Sequence, residues 1–374
     1  MQAWLQPPWR VAAGTITVRG VARPRQAVRI RLLDGQGSVG LGEALPLPGF
    51  SRDDADTAHA VLVALTGTPL EVPDEGRALT QIAAALAPLD AALAASVSAR
   101  FALECALLDL LSRRAGQSAA AWLAEGRRLQ SVPVSMLLPD DETSAVAAAT
   151  QAAARGHTVL KLKVARADRK PAQEEALLAA VRAAADAATP GAVRLRLDAN
   201  GEMDPATLMQ RLSAWSAFGI ELVEEPLAGE ALLSMPPLPL PWAADESLAD
   251  PALAAALLAL PPGRGPAALV LKPATLGLLR CLELADAAAA RGLGVIVTHS
   301  LDGELGFAAA GALAQALRQP PWPCGLAPHA GLHNAQDPGP EFGFGETFAR
   351  PAIDGAVGLQ ARLPGCFQLF REQP

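Results

Sequence analysis

The stretch Val159–Arg166, VLKLKVAR, sets two lysines one residue apart among apolar neighbours. Alternation of this kind reads as a strand, in which residues i and i+2 share a face, so Lys161 and Lys163 project together. Lysine is scarce in this chain. Of 31 basic residues only four are lysine, namely Lys161, Lys163, Lys170 and Lys272, and the rest are arginine. A buried lysine can lose its proton, whereas an arginine effectively cannot. Lysines kept on apolar strands therefore point to proton chemistry, provided that acids and a metal accompany them.

The surrounding sequence sets the fold. From about residue 131, short β-type runs alternate with longer Ala/Leu-rich helical runs. The strand candidates are VPVSMLL, TVLKLKV, VRLRLDA, GIELVEE, PWAADE, ALVLKP, GVIVTH and a weaker CGLAP. Eight strands alternating with helices predict an α/β fold, a (β/α)-barrel of the modified TIM type. A doubly wound sheet is the competitor that periodicity alone does not exclude. Ahead of this region, GTITVRG, AVRIRLLD and SVGLGEA read as strands around a DGQG turn. The Pro/Gly loop LPLPGFSRDD follows, with Ser51 as the expected helix N-cap. Helices are expected over roughly 52–66, 75–95 and 97–115. The organisation is therefore an α+β N-terminal capping domain over 1–125, completed by a Gly/Pro-rich tail at about 331–374, and a barrel over 126–330.

Several barrel strands finish in charge. The third ends in Asp198, the fourth in Glu224 and Glu225, the fifth in Asp245 and Glu246, the sixth in Lys272, and the seventh in His299 and Ser300. In a barrel these ends meet on one face, where such enzymes place their chemistry. Asp198, Glu224 and Asp245 on successive strands can converge on one point, and oxygen-only ligands in that number suit Mg²⁺. Lys163 and Lys272 would flank it. Arg196 shares a side with Asp198 and either contacts a substrate carboxylate or neutralises Asp198. Glu225 and Glu246 read as supporting or salt-bridge residues, Lys170 as a solvated charge and His157 as structural. His299 reads as a lining or substrate-contact residue rather than a base. The glycines of EFGFGE lack the strand–helix context of a nucleotide loop.

Composition excludes several classes. The 374 residues are 51% hydrophobic and 18% charged, enough for a sizeable core. A formal charge of −7 with no basic patch argues against nucleic acid. Cys105, Cys281, Cys324 and Cys366 are far apart with no CxxC spacing, so idle or buried thiols are expected rather than disulfides or zinc. The N-terminus lacks the apolar core of a signal peptide, and the Ala/Leu runs are broken by Asp, Glu, Arg and Pro. A soluble cytoplasmic protein with a small-molecule partner is expected, with no nucleic acid and no membrane; self-association into a homo-oligomer is left open.

The ordered set K-x-K, Asp in DAN, Glu in EEP, Asp in DES and Lys in KP resembles the enolase superfamily, and more narrowly its muconate-cycloisomerase-like subgroup. GEALPLPGFS (Gly42–Ser51) and LVLKPATLGLL (Leu269–Leu279) are similar to the cap loop and sixth-strand motif of the o-succinylbenzoate synthase family of menaquinone biosynthesis. The resemblance spans roughly residues 40 to 310. A lysine or histidine base working with Mg²⁺ is a general property of that superfamily. The resemblance implies a lyase in which Asp198, Glu224 and Asp245 bind Mg²⁺, with Mn²⁺ as a substitute. Lys163 would be the general base, with Lys161 beside it and Lys272 opposite. The implied reaction is dehydration of 2-succinyl-6-hydroxy-2,4-cyclohexadiene-1-carboxylate through a metal-stabilised enediolate. Substrate contacts would come from Arg196, Asn200, Ser300, His299, Phe50 and Ser51.

Rivals share these residues. An N-succinylamino-acid racemase would use Lys163 and Lys272 on opposite faces. A dipeptide epimerase is disfavoured, because CGLAPHAGLH lacks that family's Asp-x-Asp. A cycloisomerase has no positive motif here. A non-catalytic barrel would have lost a ligand or the base, and all five positions are present. The stretch VTHSLDGELG matches the family only loosely: Thr298, Ser300 and Gly306 fit a polar, glycine-bearing turn, and His299 is less expected.

Overall fold

The computed structural model describes residues 1–18, 21–74 and 76–327. The tail expected to complete the cap, Cys366 and the EFGFGE stretch lie outside these described residues.

The N-terminal part is an antiparallel sheet built on one long strand. It comprises β1 (Gln2–Leu5), β2 (Trp9–Val18), β3 (Val21–Asp34), β4 (Val39–Ala44) and β5 (Pro69–Glu71). Strand β3 pairs with β1, β2 and β4, and β1 also pairs with β5. The alternating Val28, Ile30 and Leu32 of β3 are buried, as a one-sided sheet requires. Against this sheet packs the helix Val97–Arg114, started by Ser96, whose hydroxyl accepts from Ala99 N at 3.0 Å. The contact is very close because β4 presents glycines. A Cβ on Gly40 would lie 2.1 Å from Ala106 O, and one on Gly42 1.9 Å from Ala102 O. Only backbone fits there, so the GLG pattern sets the helix–sheet distance.

The helices fall close to expectation, at Ala55–Ala64, Ala78–Leu86 with short turns to Leu93, and Val97–Arg114. One cap differs. Asp54, not Ser51, begins the first helix, its carboxylate accepting from Thr57 N at 2.8 Å. Ser51 Oγ instead accepts from Leu47 N at 2.8 Å and closes the loop on itself. Aspartate caps a helix as well as serine does, and the loop's own turn consumed the serine.

The second part is a parallel sheet of seven strands in sequential order: β6 (Met136–Leu137), β7 (Val159–Lys163), β8 (Arg194–Asp198), β9 (Ile220–Glu224), β10 (Trp242–Ala244), β11 (Ala268–Leu271) and β12 (Gly294–Val297). Isolated parallel bridges, Val134 to Cys324 and Thr298 to Gly325, join the CGLAP segment to both edges, so the strip closes into a barrel. The weak eighth strand is thus only a pair of bridging residues. Leu222, Ala243, Ala268, Val270 and Ile296 form a separate apolar cluster with Trp322 packed against it. Among the described residues no helix is long and apolar enough to cross a membrane.

Candidate active site

The parallel register places the charged strand ends at matching heights. Lys163 is paired with Asp198, and Asp198 with Glu224. Lys161, Arg196 and Leu222 form the row beneath. On β10, Ala243 is level with Glu224, and Asp245 lies two residues further along the chain. These ends open into one cavity of about 1340 Å³, lined among others by Lys161, Lys163, Asp198, Glu224, Asp245 and Lys272.

All three carboxylates are buried, Asp198 at 4%, Glu224 at 1% and Asp245 at 3% exposure. Buried anions need partners, and lysines supply them. Lys161 reaches up from the lower row on its flexible stem, setting Nζ 2.9 Å from Asp198 Oδ2 and 2.5 Å from Glu224 Oε2. Burial opposes its charge, but Asp198, Glu224 and Asp245 outweigh that and hold the ammonium above lysine's ordinary value. Burial likewise works against Asp198, and Lys161 and Lys272 prevail and hold it below the usual carboxylate range. Lys272 Nζ lies 2.6 Å from Asp245 Oδ2 and 3.3 Å from Glu246 Oε1. Burial resists its charge too, yet Asp245 and Glu246 keep Lys272 protonated.

The expected convergence of the three carboxylates is therefore incomplete. Among the described residues, no three His, Cys, Asp or Glu side chains stand close enough together to form a ready metal cage. Each carboxylate is engaged by a lysine instead. The donor set still fits a hard divalent cation. It is oxygen-only, buried, on three successive strands, and it already draws positive charge to itself. An ion held there would compete with both ammonium groups for the same oxygens.

Lys163 differs from the other two. It has no ion pair at salt-bridge distance among the described residues, and its Nζ lies 5.6 Å from the centre of the Phe50 ring. Phe50 comes from the cap loop, so the structure brings that loop over this lysine. Asn200 lines the same cavity, with Nδ2 donating to Glu246 Oε1 at 3.2 Å. Ser300 is buried, lines the cavity, and has a hydroxyl with no partner among the described residues.

Three of the expected contact residues have protein partners, and two of them, Arg196 and His299, still line the cavity. Ser51 is tied into its loop and is not a lining residue. Arg196 does not neutralise Asp198. Its Nε donates to Glu221 Oε2 at 2.5 Å and its Nη1 to Pro323 O at 2.6 Å. The cause is a register shift between β8 and β9, which skips Glu221 and aims it at the arginine. His299 lines the cavity, but its Nδ1 accepts from Leu301 N at 3.1 Å and its Nε2 contacts Ala327 O at 2.9 Å. A ring bonded to backbone through both nitrogens is poorly placed to act as a base.

Glu225 and Glu246 have the supporting and salt-bridge partners expected of them, Glu246 through Lys272. Glu225, in the left-handed region at φ 39°, accepts from Asp245 N at 2.7 Å, from Ser247 N at 3.0 Å and from Ser247 Oγ. It fixes the turn that carries Asp245. Burial, against these hydrogen bonds, pushes its carboxyl up to about 7. The doubled glutamate in EEP was the only local signal. His157 is structural as expected, its Nδ1 lying 3.2 Å from Val134 O, and Lys170 is exposed. Cys105, Cys281 and Cys324 are buried free thiols.

Comparison with known proteins agrees with this architecture. Residues 144–351 match a family model described as "Enolase C-terminal domain-like". An o-succinylbenzoate synthase from Desulfotalea psychrophila is 32% identical over 337 residues, covering 83% of this chain and 88% of the relative. Muconate cycloisomerase 1 from Pseudomonas putida is 26% identical over 342 residues, covering 85% and 82%. The crystal structure of a muconate cycloisomerase from Pseudomonas fluorescens superposes with a TM-score of 0.72 at 22% identity, covering 96% of both chains, a likeness of fold.

Proposed function

The chain belongs to the enolase superfamily, in its muconate-cycloisomerase-like subgroup, and on that premise we propose that it is an o-succinylbenzoate synthase. The substrate would be 2-succinyl-6-hydroxy-2,4-cyclohexadiene-1-carboxylate. The observation that carries this reading is the placement of three buried carboxylates on the strands between those of Lys163 and Lys272, all facing one cavity. The relative sharing 32% identity over 83% of the chain favours the synthase among reactions that such a site can perform.

The chemistry required is removal of a weakly acidic proton beside a carboxylate. Asp198, Glu224 and Asp245 would hold Mg²⁺, which when bound neutralises the negative charge that develops on the substrate carboxylate. Lys163 would take the ring proton through Nζ, the one lysine of the three free of the carboxylates. The electron pair left behind forms the new ring double bond as the C–O bond to the hydroxyl breaks. The proton and the departing hydroxide together make water, and the ring becomes aromatic, which drives the step. Lys161 would act as a fixed charge that keeps Asp198 ionised and is bonded to Glu224. Lys272 would stand opposite the base and stabilise negative charge. Phe50 and Ser300 would shape the space around the substrate.

The test is turnover of freshly made substrate with Mg²⁺, followed by loss of its ultraviolet absorbance, with a chelator and Lys163→Ala as controls. Decay that disappears in both controls supports the synthase. No decay with Mg²⁺ demonstrably bound sinks it. The second reading, an N-succinylamino-acid racemase, is favoured by lysines on both flanking strands, and α-proton exchange in deuterated water detects it.

A further inference from the structure

We propose that Arg25 is a positioning residue that latches the cap loop to the turn after β12 and so sets the width of the cavity mouth. It lies on β3, is not among the residues that line the cavity, and is 3% exposed. Its guanidinium forks between two backbone carbonyls that are distant in sequence. One Nη donates to Leu45 O at 2.8 Å, and the other to Leu301 O. Leu45 leads into the loop that carries Leu47 and Phe50 to the cavity, and Leu301 follows Ser300 in its wall. A single rigid side chain thus spans both halves of the mouth.

The far side of the latch is a turn that does not hold itself. Leu301 has φ 56°, in the left-handed region that a leucine rarely adopts. Such a backbone persists only where surroundings over-determine it. Its N–H is bonded to His299 and its carbonyl to Arg25, so the turn is gripped from both ends. The seam is also closed sterically. A Cβ on Gly303 would lie 1.8 Å from Glu43 Oε1, so the turn packs directly on this β4 side chain, which would have to move to admit one. Burial lowers the arginine below its ordinary value, and the buried side chains of Asp302 and Glu43 beside it only partly offset that cost.

The role rests on the synthase reading only for its kinetic arm. Wild type, Arg25→Lys, Arg25→Met and Gly303→Ala are compared by amide hydrogen exchange with Mg²⁺ present. In Arg25→Met, segments 45–54 and 299–303 should exchange together about tenfold faster, as expected for loss of charged hydrogen bonds. Arg25→Lys should be intermediate, because an ammonium lacks the planar fork. Gly303→Ala, which pushes the turn off Glu43 and leaves Arg25 intact, should loosen the same two segments and serves if Arg25→Met does not fold. KM should rise about tenfold in Arg25→Met with kcat within about threefold, the pattern of lost positioning rather than lost chemistry. Faster exchange in one segment alone, or spread over the whole N-terminal sheet, overturns the latch. So does an unchanged KM in an active enzyme. If wild type does not turn over the substrate, the synthase reading fails while the exchange arm still decides the latch.

Discussion

Lys161 Nζ stands 2.9 Å from Asp198 Oδ2 and closes the same site through Glu224. One ammonium therefore compensates two buried carboxylates on neighbouring strands. Removing one partner of a buried pair leaves uncompensated charge, which is costly. Lys161→Met should lower unfolding free energy by about 3 kcal/mol without divalent metal. Saturating Mg²⁺ should return part of that loss, because it supplies charge to the same oxygens. Urea unfolding with and without Mg²⁺ checks both. A variant as stable as wild type in EDTA would show that Lys161 carries no such burden.

Of the three lysines that line the cavity, Lys163 is the one without a carboxylate at salt-bridge distance among the described residues. Lys163→Ala should reduce turnover by about a thousandfold, the middle of the range for general acid–base groups. It should leave Mg²⁺ affinity, read by calorimetry, nearly unchanged. Loss of metal binding in this variant would recast Lys163 as part of the ion site.

Asp245 depends on its turn and on Lys272 for its charge balance. In wild type, Mg²⁺ at about a hundred times its Kd should raise unfolding free energy by about 2.7 kcal/mol. Asp245→Asn should abolish most of that increment, and Asp198→Asn and Glu224→Gln should do the same. A melting temperature that responds to Mg²⁺ identically in all four proteins would place the ion elsewhere.

Glu104 gives a pH dependence whose sign is opposite to that of an ion-paired acid. It is buried in the helix Val97–Arg114, and burial pushes its carboxyl up to about 7, although Leu278 N donates to it at 2.5 Å. The folded state therefore holds this proton more tightly than the unfolded chain. Its contribution is favourable below the unfolded value near 4.5 and is lost as pH rises to about 7. Glu104→Gln, whose amide oxygen can still accept from Leu278 N, removes this term. The variant should gain up to about 3 kcal/mol on wild type between pH 5 and pH 8. Denaturation midpoints at those two values test it, and parallel curves would refute it.

Much of the site was legible because it obeys local rules. Alternation placed Lys161 with Lys163 and Arg196 with Asp198 on common faces. Sequential parallel strands then brought Lys163, Asp198 and Glu224 level, as the register has them. The cap loop's phenylalanine also arrived where the quoted motif suggested. Other side chains took partners that the sequence does not announce. Ser51 was lost to a turn hydrogen bond, and Arg196 was redirected by a one-residue register shift that no alternation pattern encodes.

The sequence by itself determined the order of strands, the face each polar residue occupies, and the kind of chemistry that oxygens and lysines at strand ends support. These follow from period-two geometry and from side-chain identity, which are properties of a few consecutive residues. Only the tertiary structure decided which charge answers which. Lys161 took the two carboxylates and left Lys163 to face Phe50, a choice set by reach across neighbouring strands. Glu104 meets Leu278 across 174 positions, and Arg25 meets Leu301 across 276. Contacts at such separation leave no periodic trace, because chain closure, not local preference, brings the partners together.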